Sequence, residues 1–326
     1  MVGVNPGQNS ARICPECTTL ISRRRIAFEK SLNHIAIAEA GYFCLVVLLG
    51  VIHADYYTPS EEVGRELAKY DRENDERYPF EYGLGYYYQG DIMLVPPEDA
   101  RVSIPDSLTS YIWPNGTVPY EIAGNFSRSE LRTIRNAMNM FRRYTCVRFV
   151  KKTDDDDFFV TIVNNNTGCY SYVGRQSNND FNLINLQTPV CLMAVGTPVH
   201  EMMHAIGFYH EFVRPDRDEY IYINRSALLP ELQTDEVYND NFAKLQPQDG
   251  QTYNISYNYG SVMHYSRYAG ARSREYPTLI NKKPYVGDFG NENGFALTDV
   301  MEINLRYKCI NRDRIPKPST SFFQTM

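Results

Sequence analysis

His200-Glu201-Met202-Met203-His204-Ala205-Ile206-Gly207-Phe208-Tyr209-His210 puts three imidazoles and a carboxylate into one short stretch, spaced for a metal. His200 and His204 are four residues apart, so a helix would stack them on one face, one turn apart. Gly207 falls where such a helix would need a positive φ to stop and turn. That turn can bring His210 back as a third ligand. Three neutral imidazoles leave Zn²⁺ its full charge and one position open for water, the pattern of a catalytic rather than a structural site. Water held there has a pKa of about 7, so hydroxide is available at neutral pH. Glu201 follows the first ligand and can lean over the same site, placed to take the proton of that water and pass it to a leaving amine. The bland alternative is a buried amphipathic helix whose histidines are satisfied core residues.

Downstream of His210 come Glu211-Phe212-Val213-Arg214-Pro215-Asp216-Arg217-Asp218-Glu219-Tyr220, and later Tyr259-Gly260-Ser261-Val262-Met263-His264-Tyr265. In this order the segments closely resemble the astacin family of metzincin metallopeptidases, with its extended zinc motif and Ser-x-Met-His-Tyr turn. The resemblance runs from about Ile104 to Cys309. It implies an α+β fold, a zincin-like catalytic domain of two lobes about a cleft. A mixed sheet and two long helices would form the N-terminal lobe. A mostly irregular C-terminal lobe would carry the Met-turn and a final helix.

The resemblance also assigns roles. His200, His204 and His210 would ligate one Zn²⁺ per catalytic domain, and Glu201 would be the general base. Met263 would form an apolar floor, a thioether packing under the imidazoles without competing for the ion. Tyr265 would be a fifth, displaceable ligand whose phenol leaves the metal to donate to the oxyanion of the tetrahedral intermediate. Glu211 would be a buried carboxylate that meets the amino terminus of the mature enzyme, since a buried carboxylate needs a partner. Its bland reading is a surface carboxylate paired with Arg214 or Arg217. Substrate would lie extended along an edge strand.

The chain has 326 residues, enough for one large domain with appendages, and 43% hydrophobic residues, enough for a core. A net charge of −6 with no basic domain argues against nucleic-acid binding. Asp154–Asp157 reads as a solvated loop rather than a calcium site, because it lacks spaced oxygen ligands. Among seven cysteines, Cys14, Cys17 and Cys44 lie near the start, and Cys14-Pro15-Glu16-Cys17 has no second metal-ligating pair nearby. Cys146, Cys169, Cys191 and Cys309 allow three pairings; similarity to astacins selects Cys146–Cys309 and Cys169–Cys191. Disulfides imply an oxidising compartment. Sequons at Asn115, Asn125, Asn165, Asn224 and Asn254 agree as glycosylation candidates.

Tyr42–Ile52, the one long apolar run, is too short for the roughly 20 residues of a membrane helix. Arg23, Arg24, Arg25 and Lys30 precede it, which reads as a signal-peptide core with cleavage near Ala54. Residues 1–54 are therefore expected to be a leader, although the stretch before the core exceeds an ordinary one. Residues 55–101 are expected to be a propeptide, without a convincing amphipathic pattern. Within it Tyr88-Gln89-Gly90-Asp91 resembles the Phe-x-Gly-Asp motif of astacin propeptides, with Tyr88 replacing Phe. That match implies Asp91 as a zinc ligand in the zymogen only, Gly90 permitting the close approach. An activating protease would cut near Arg101, giving a mature start at Val102 or Ile104. The peptidase domain would span 102–310, and 311–326 would be a short tail.

Ser127-Arg128-Ser129-Glu130 forms a capping box, and Leu131, Ile134, Met138 and Phe141 mark one helical face behind it. Strands are predicted over Val147–Val150, Phe158–Val163 and Phe181–Leu186. Cys169-Tyr170-Ser171-Tyr172-Val173-Gly174 resembles a family segment that usually has Trp after the cysteine; Tyr170 departs from it. Pro198–Ile206 is predicted to be the active-site helix, with few regular elements beyond Gly207 until a final helix near Leu297–Tyr307. The expectation is a secreted, latent zinc metalloendopeptidase acting on protein or peptide substrates, with no nucleic-acid partner and no stable membrane association. The competing readings are an inactive binding protein on the same fold and a membrane-tethered form.

Overall fold

A computed structural model describes residues 58–96, 111–247 and 250–309. The leader, Arg101 with the expected mature starts, the tail after Cys309, and Cys14, Cys17 and Cys44 lie outside the described residues.

The centre is a five-stranded mixed sheet in the order β2-β1-β3-β5-β4. Its strands are β1 (Thr117–Ile122), β2 (Arg148–Lys151), β3 (Val160–Val163), β4 (Cys169–Ser171) and β5 (Leu183–Leu186). All pairings are parallel except β4 with β5, so the edge strand runs against its neighbour. The three predicted strands fall on β2, β3 and β5. β1 was not anticipated: Pro119 interrupts Thr-Val-Pro-Tyr-Glu-Ile, and proline normally argues against a central strand because it cannot donate to a ladder.

Two helices cover the sheet. Helix α2 (Arg128–Tyr144) starts at the expected box: Ser127 Oγ accepts from Glu130 N–H, and Glu130 Oε2 accepts from Ser127 N–H. Its buried residues are Ile134, Ala137, Met138 and Phe141, with Leu131 at the margin. Helix α3 (Gly196–Ala205) is buried on every side, between α2 and strands β4 and β5. Val199, Met202 and Met203 face the common core with Val118, Ile162 and Ile184, leaving the polar residues of α3 to face the other way. Trp113 Nε1–H donates to Ala205 O at 2.9 Å and ties the start of the domain to the end of α3.

Beyond Gly207 the chain is mostly irregular, as expected, yet three elements there were unforeseen. Helix α4 (Asp235–Phe242) is capped by Thr234, and β6 (Ile221–Ile223) pairs antiparallel with β7 (Leu279–Asn281). The final helix, α5, is Leu297–Arg306. Both expected disulfides are formed, Cys146–Cys309 and Cys169–Cys191. The Asp154–Asp157 run is a largely exposed turn in which Asp156 Oδ2 accepts from Thr153.

The segment 58–96 carries helix α1 (Glu61–Leu67), capped by Ser60, in a tract the sequence left without a helix. Glu61, Glu62, Arg65 and Glu66 crowd around its short apolar face of Val63 and Leu67 and hide the pattern. The segment joins the core through Leu67, Phe80 and Leu84. Among the described residues no helix is long and apolar enough to cross a membrane.

Candidate metal centre

Helix α3 presents His200 and His204 one turn apart, and Gly207, at φ +99°, turns the chain so that His210 returns to them. The three Nε2 atoms are 3.1–3.2 Å from one another. Ligand atoms about 2.0–2.1 Å from a tetrahedral zinc lie about 3.3 Å apart, so this triangle fits one ion. Each Nδ1 donates elsewhere: His200 to Val262 O at 2.7 Å, His204 to Phe208 O at 2.7 Å, His210 to Gln89 Oε1 at 3.1 Å. That fixes the tautomer and turns three lone pairs inward. Burial lowers the pKa of His200 and takes His210 down to about 3, against the opposing charge of Asp91. Neutral imidazole is the ligating form. Three converging lone pairs with no proton between them are stable only around a cation, and a His₃ set suits Zn²⁺.

Asp91 completes the cluster, all four residues being buried with ligand atoms within 4.8 Å of one another. Its Oδ2 is 2.8 Å from His200 Nε2, and its Oδ1 is 3.1 Å from His210 Nε2 with no hydrogen bond of its own. Burial opposes its ionisation, but the three imidazoles outweigh that and hold its pKa well below the usual carboxylate range. Asp91 arrives there by backbone pairing. Its carbonyl accepts from Ser171 N–H and Met93 N–H donates to Ser171 O, both at 3.0 Å, so Ile92 lies parallel to the edge strand β4. Gly90, at φ +96°, passes so close to Tyr265 that a Cβ there would sit 2.4 Å from the phenol oxygen.

Glu201 faces the same space. It is fully buried, and neither carboxylate oxygen has a hydrogen-bond partner. Burial, and then the charge of Asp91, push its pKa well above the usual range. Such a group is costly to bury unless another molecule completes its bonding. Tyr265 is also buried; its hydroxyl donates to Gln89 O at 2.5 Å and its ring lies 4.6 Å from that of His210. Burial raises its pKa, so the phenol keeps its proton as a donor.

Met263 is buried in the turn 261–265, and its carbonyl accepts from Glu211 N–H at 2.9 Å. Asp299 of α5 fastens that turn, accepting from Ser261 Oγ at 2.6 Å and Val262 N–H at 3.1 Å. Aromatic rings line the ligands: Phe80 stacks on His200 at 3.8 Å, and Phe212 on His210 at 5.1 Å. Glu81 is buried, its carboxyl accepting from Ser266 N–H and Ser266 Oγ. Neither Phe80, Glu81 nor Asp299 was singled out by sequence, and no local pattern marks them. Gln89 was visible only as the variable position of a motif. Tyr170 is buried against Tyr87 with ring centroids 5.3 Å apart, an aromatic filling an aromatic's place.

Glu211 is not at the surface. It is buried, 3.1 Å from Arg214 and accepting from Asn258 N–H at 2.8 Å; Arg217 pairs instead with Asp218. Burial pushes its pKa up to about 7 despite Arg214. It borders a cavity also lined by Arg214, Glu302 and Arg306. Of the sequon asparagines, Asn115, Asn125, Asn165 and Asn254 are exposed and Asn224 is half-buried.

The sequence model of the Astacin family of peptidases matches residues 106–308. Bone morphogenetic protein 1 of Xenopus laevis is 34% identical over 61% of this chain and 27% of its own length. Zinc metalloproteinase nas-14 of Caenorhabditis elegans is 35% identical over 64% of this chain and 39% of its own. The chain thus spans well under half the length of these relatives. Among solved structures, the hatching enzyme zinc-protease high choriolytic enzyme 1 of Oryzias latipes superposes with a TM-score of 0.54 at 32% identity, covering 62% of this chain and 97% of that one.

Proposed function

From the premise that this chain belongs to the astacin family of peptidases, we propose that it is a secreted zinc metalloendopeptidase made in latent form. The observation that carries the reading is the convergence of His200, His204, His210 and Asp91 beside a stranded Glu201.

Zinc held by the three histidines supplies a Lewis acid that polarises the scissile carbonyl and acidifies water. The protein does the rest. Glu201, desolvated and unpartnered, takes the proton of the attacking water and returns it to the leaving amine. Tyr265 donates its hydroxyl hydrogen bond to the oxyanion once Gln89 has left. Substrate backbone takes the hydrogen-bonding positions of β4 that Asp91 and Met93 now use on Ser171. Residues 58–96 would therefore block the site twice, by a carboxylate at the metal and by backbone paired with the edge strand β4.

Cleavage near Arg101 frees the segment, and the new α-ammonium docks in the cavity beside Glu211. Supporting this, Glu211 and Glu302 both pair with Arg214, which Asp216 also engages, and Arg306 lines the same cavity. Burial, and then repulsion from Glu211, raise the pKa of Glu302 as well, so a further cation would favour the ionised form of both carboxyls. The sequons at Asn115, Asn125, Asn165, Asn224 and Asn254 carry glycans in this reading, and the disulfides fit an oxidising compartment.

The test is chelator-sensitive hydrolysis of casein by the processed chain. Glu201→Ala should lower kcat by about a thousandfold or more while zinc stays bound. Turnover above a few per cent of the parent would remove Glu201 from its role. Processed chain with bound zinc and no peptidase activity would sink the enzyme reading.

A further inference from the structure

The three candidate ligands are not held alike. His200 and His204 hand their Nδ1 protons to the carbonyls of Val262 and Phe208, which belong to the peptidase domain and remain after processing. His210 hands its own to the side chain of Gln89, 121 residues away and in the segment that departs. Gln89 is 1% exposed and adopts φ +51°, a left-handed conformation uncommon for a residue with a side chain. That turn aims its two acceptors at two different groups. The amide oxygen takes the His210 proton, and the backbone carbonyl takes the Tyr265 hydroxyl. Its own N–H is anchored to Asp240 O of α4 at 3.2 Å. A strained residue bonded through its N–H, its carbonyl and its amide oxygen is held there by its surroundings.

We propose that Gln89 is a positioning residue of the latent state, a lock beside Asp91: its amide fixes the third histidine for the metal while its carbonyl keeps the Tyr265 hydroxyl occupied. This rests on the reading of residues 58–96 as a latency segment. Outer partners of metal-bound histidines fix ring orientation and raise ligand basicity, and losing one typically weakens metal binding by about 10–100-fold. The unprocessed chain thus holds zinc more firmly than its four ligands alone would. Departure of one residue then loosens His210 and frees Tyr265 together, coupling processing to readiness for substrate.

Substitution separates the two acceptors of Gln89, because any residue keeps the carbonyl and only some keep the amide's function. The experiment follows zinc loss from the full-length, unprocessed chain into excess chelator, read as metal content. Gln89→Met keeps length and removes the acceptor; it should release zinc about tenfold faster than the parent. Gln89→Glu supplies a stronger acceptor for the same proton and should release zinc more slowly than the parent. Equal release from the three chains overturns the proposal. If Gln89→Met does not fold, Gln89→Glu decides alone: slower release supports the lock, and equal or faster release overturns it. The underlying reading is tested separately by casein cleavage before and after processing of the parent chain, since only the processed chain should be active. A zinc-loaded unprocessed parent that cleaves casein as fast as the processed chain overturns latency whatever Gln89 does.

Discussion

Glu81 shows how a single carboxyl can couple this assembly to pH. Burial pushes its pKa from 4.5 up to about 8, against the opposing donors of Ser266 and the charge of Arg77. In the release proposed for residues 58–96, the docked segment would bind a proton that the released segment gives up. Docking strength from this residue is fully present below about pH 4.5, declines as pH rises, and is lost through about pH 8. The swing is on the order of a few kcal/mol. After cleavage near Arg101, release of the segment should accelerate as pH climbs across that window, and Glu81→Gln should flatten the profile. Measuring the fraction of segment still bound to nicked protein against pH decides it; identical profiles for both chains would discard Glu81 as the sensor. At this scale the convergence of His200, His204 and His210 was legible, because four-residue spacing on a helix and a glycine turn are local geometry. Glu81 and Gln89 were not, because nothing local says that they meet Ser266 and His210, 185 and 121 residues away.

Among the elements, α2 and α5 contribute in different ways. The α2 capping box satisfies backbone donors on an exposed helix end, so Ser127→Ala should cost about 1 kcal/mol and leave peptide cleavage unchanged. Asp299 sits in the first turn of α5 and accepts from Ala296 N–H, Ser261 Oγ and Val262 N–H. Asp299→Ala strands three buried donors and should cost about 3 kcal/mol. It should also impair turnover, because Val262 O orients His200. Denaturant midpoints and kcat on both variants check this; a loss of stability at Asp299 with full activity would detach the turn from His200. Periodicity and capping chemistry made α2, α3 and α5 readable. β1 and α4 escaped for opposite reasons. Pro119 spoils a strand that two parallel neighbours nonetheless enclose. α4 has only eight residues and little apolar face, and is held by its cap and by packing.

For the whole molecule, the two disulfides close loops of very different length. Cys146–Cys309 spans 163 residues and joins the end of α2 to the end of α5, whereas Cys169–Cys191 spans 22 beside the edge strand. On the loop-entropy argument their removal costs about 5 and about 3 kcal/mol. Replacing each pair by serine should therefore lower the thermal midpoint in that order, and the reverse order would show that native-state packing outweighs chain entropy. The sequence by itself determined the clustering of His200, His204 and His210 and the helix that carries the first two, because these depend on spacings within one or two turns of chain. The motif Tyr88-Gln89-Gly90-Asp91 already pointed to Asp91; tertiary structure alone decided what Gln89 meets and how the segment is held over the histidine cluster. Asp91 and Gln89 reach it only because Ile92 pairs with Ser171 and Gln89 is pinned to α4. Those contacts are worth making only once the sheet edge and the buried imidazoles already exist, and no short-range pattern encodes them.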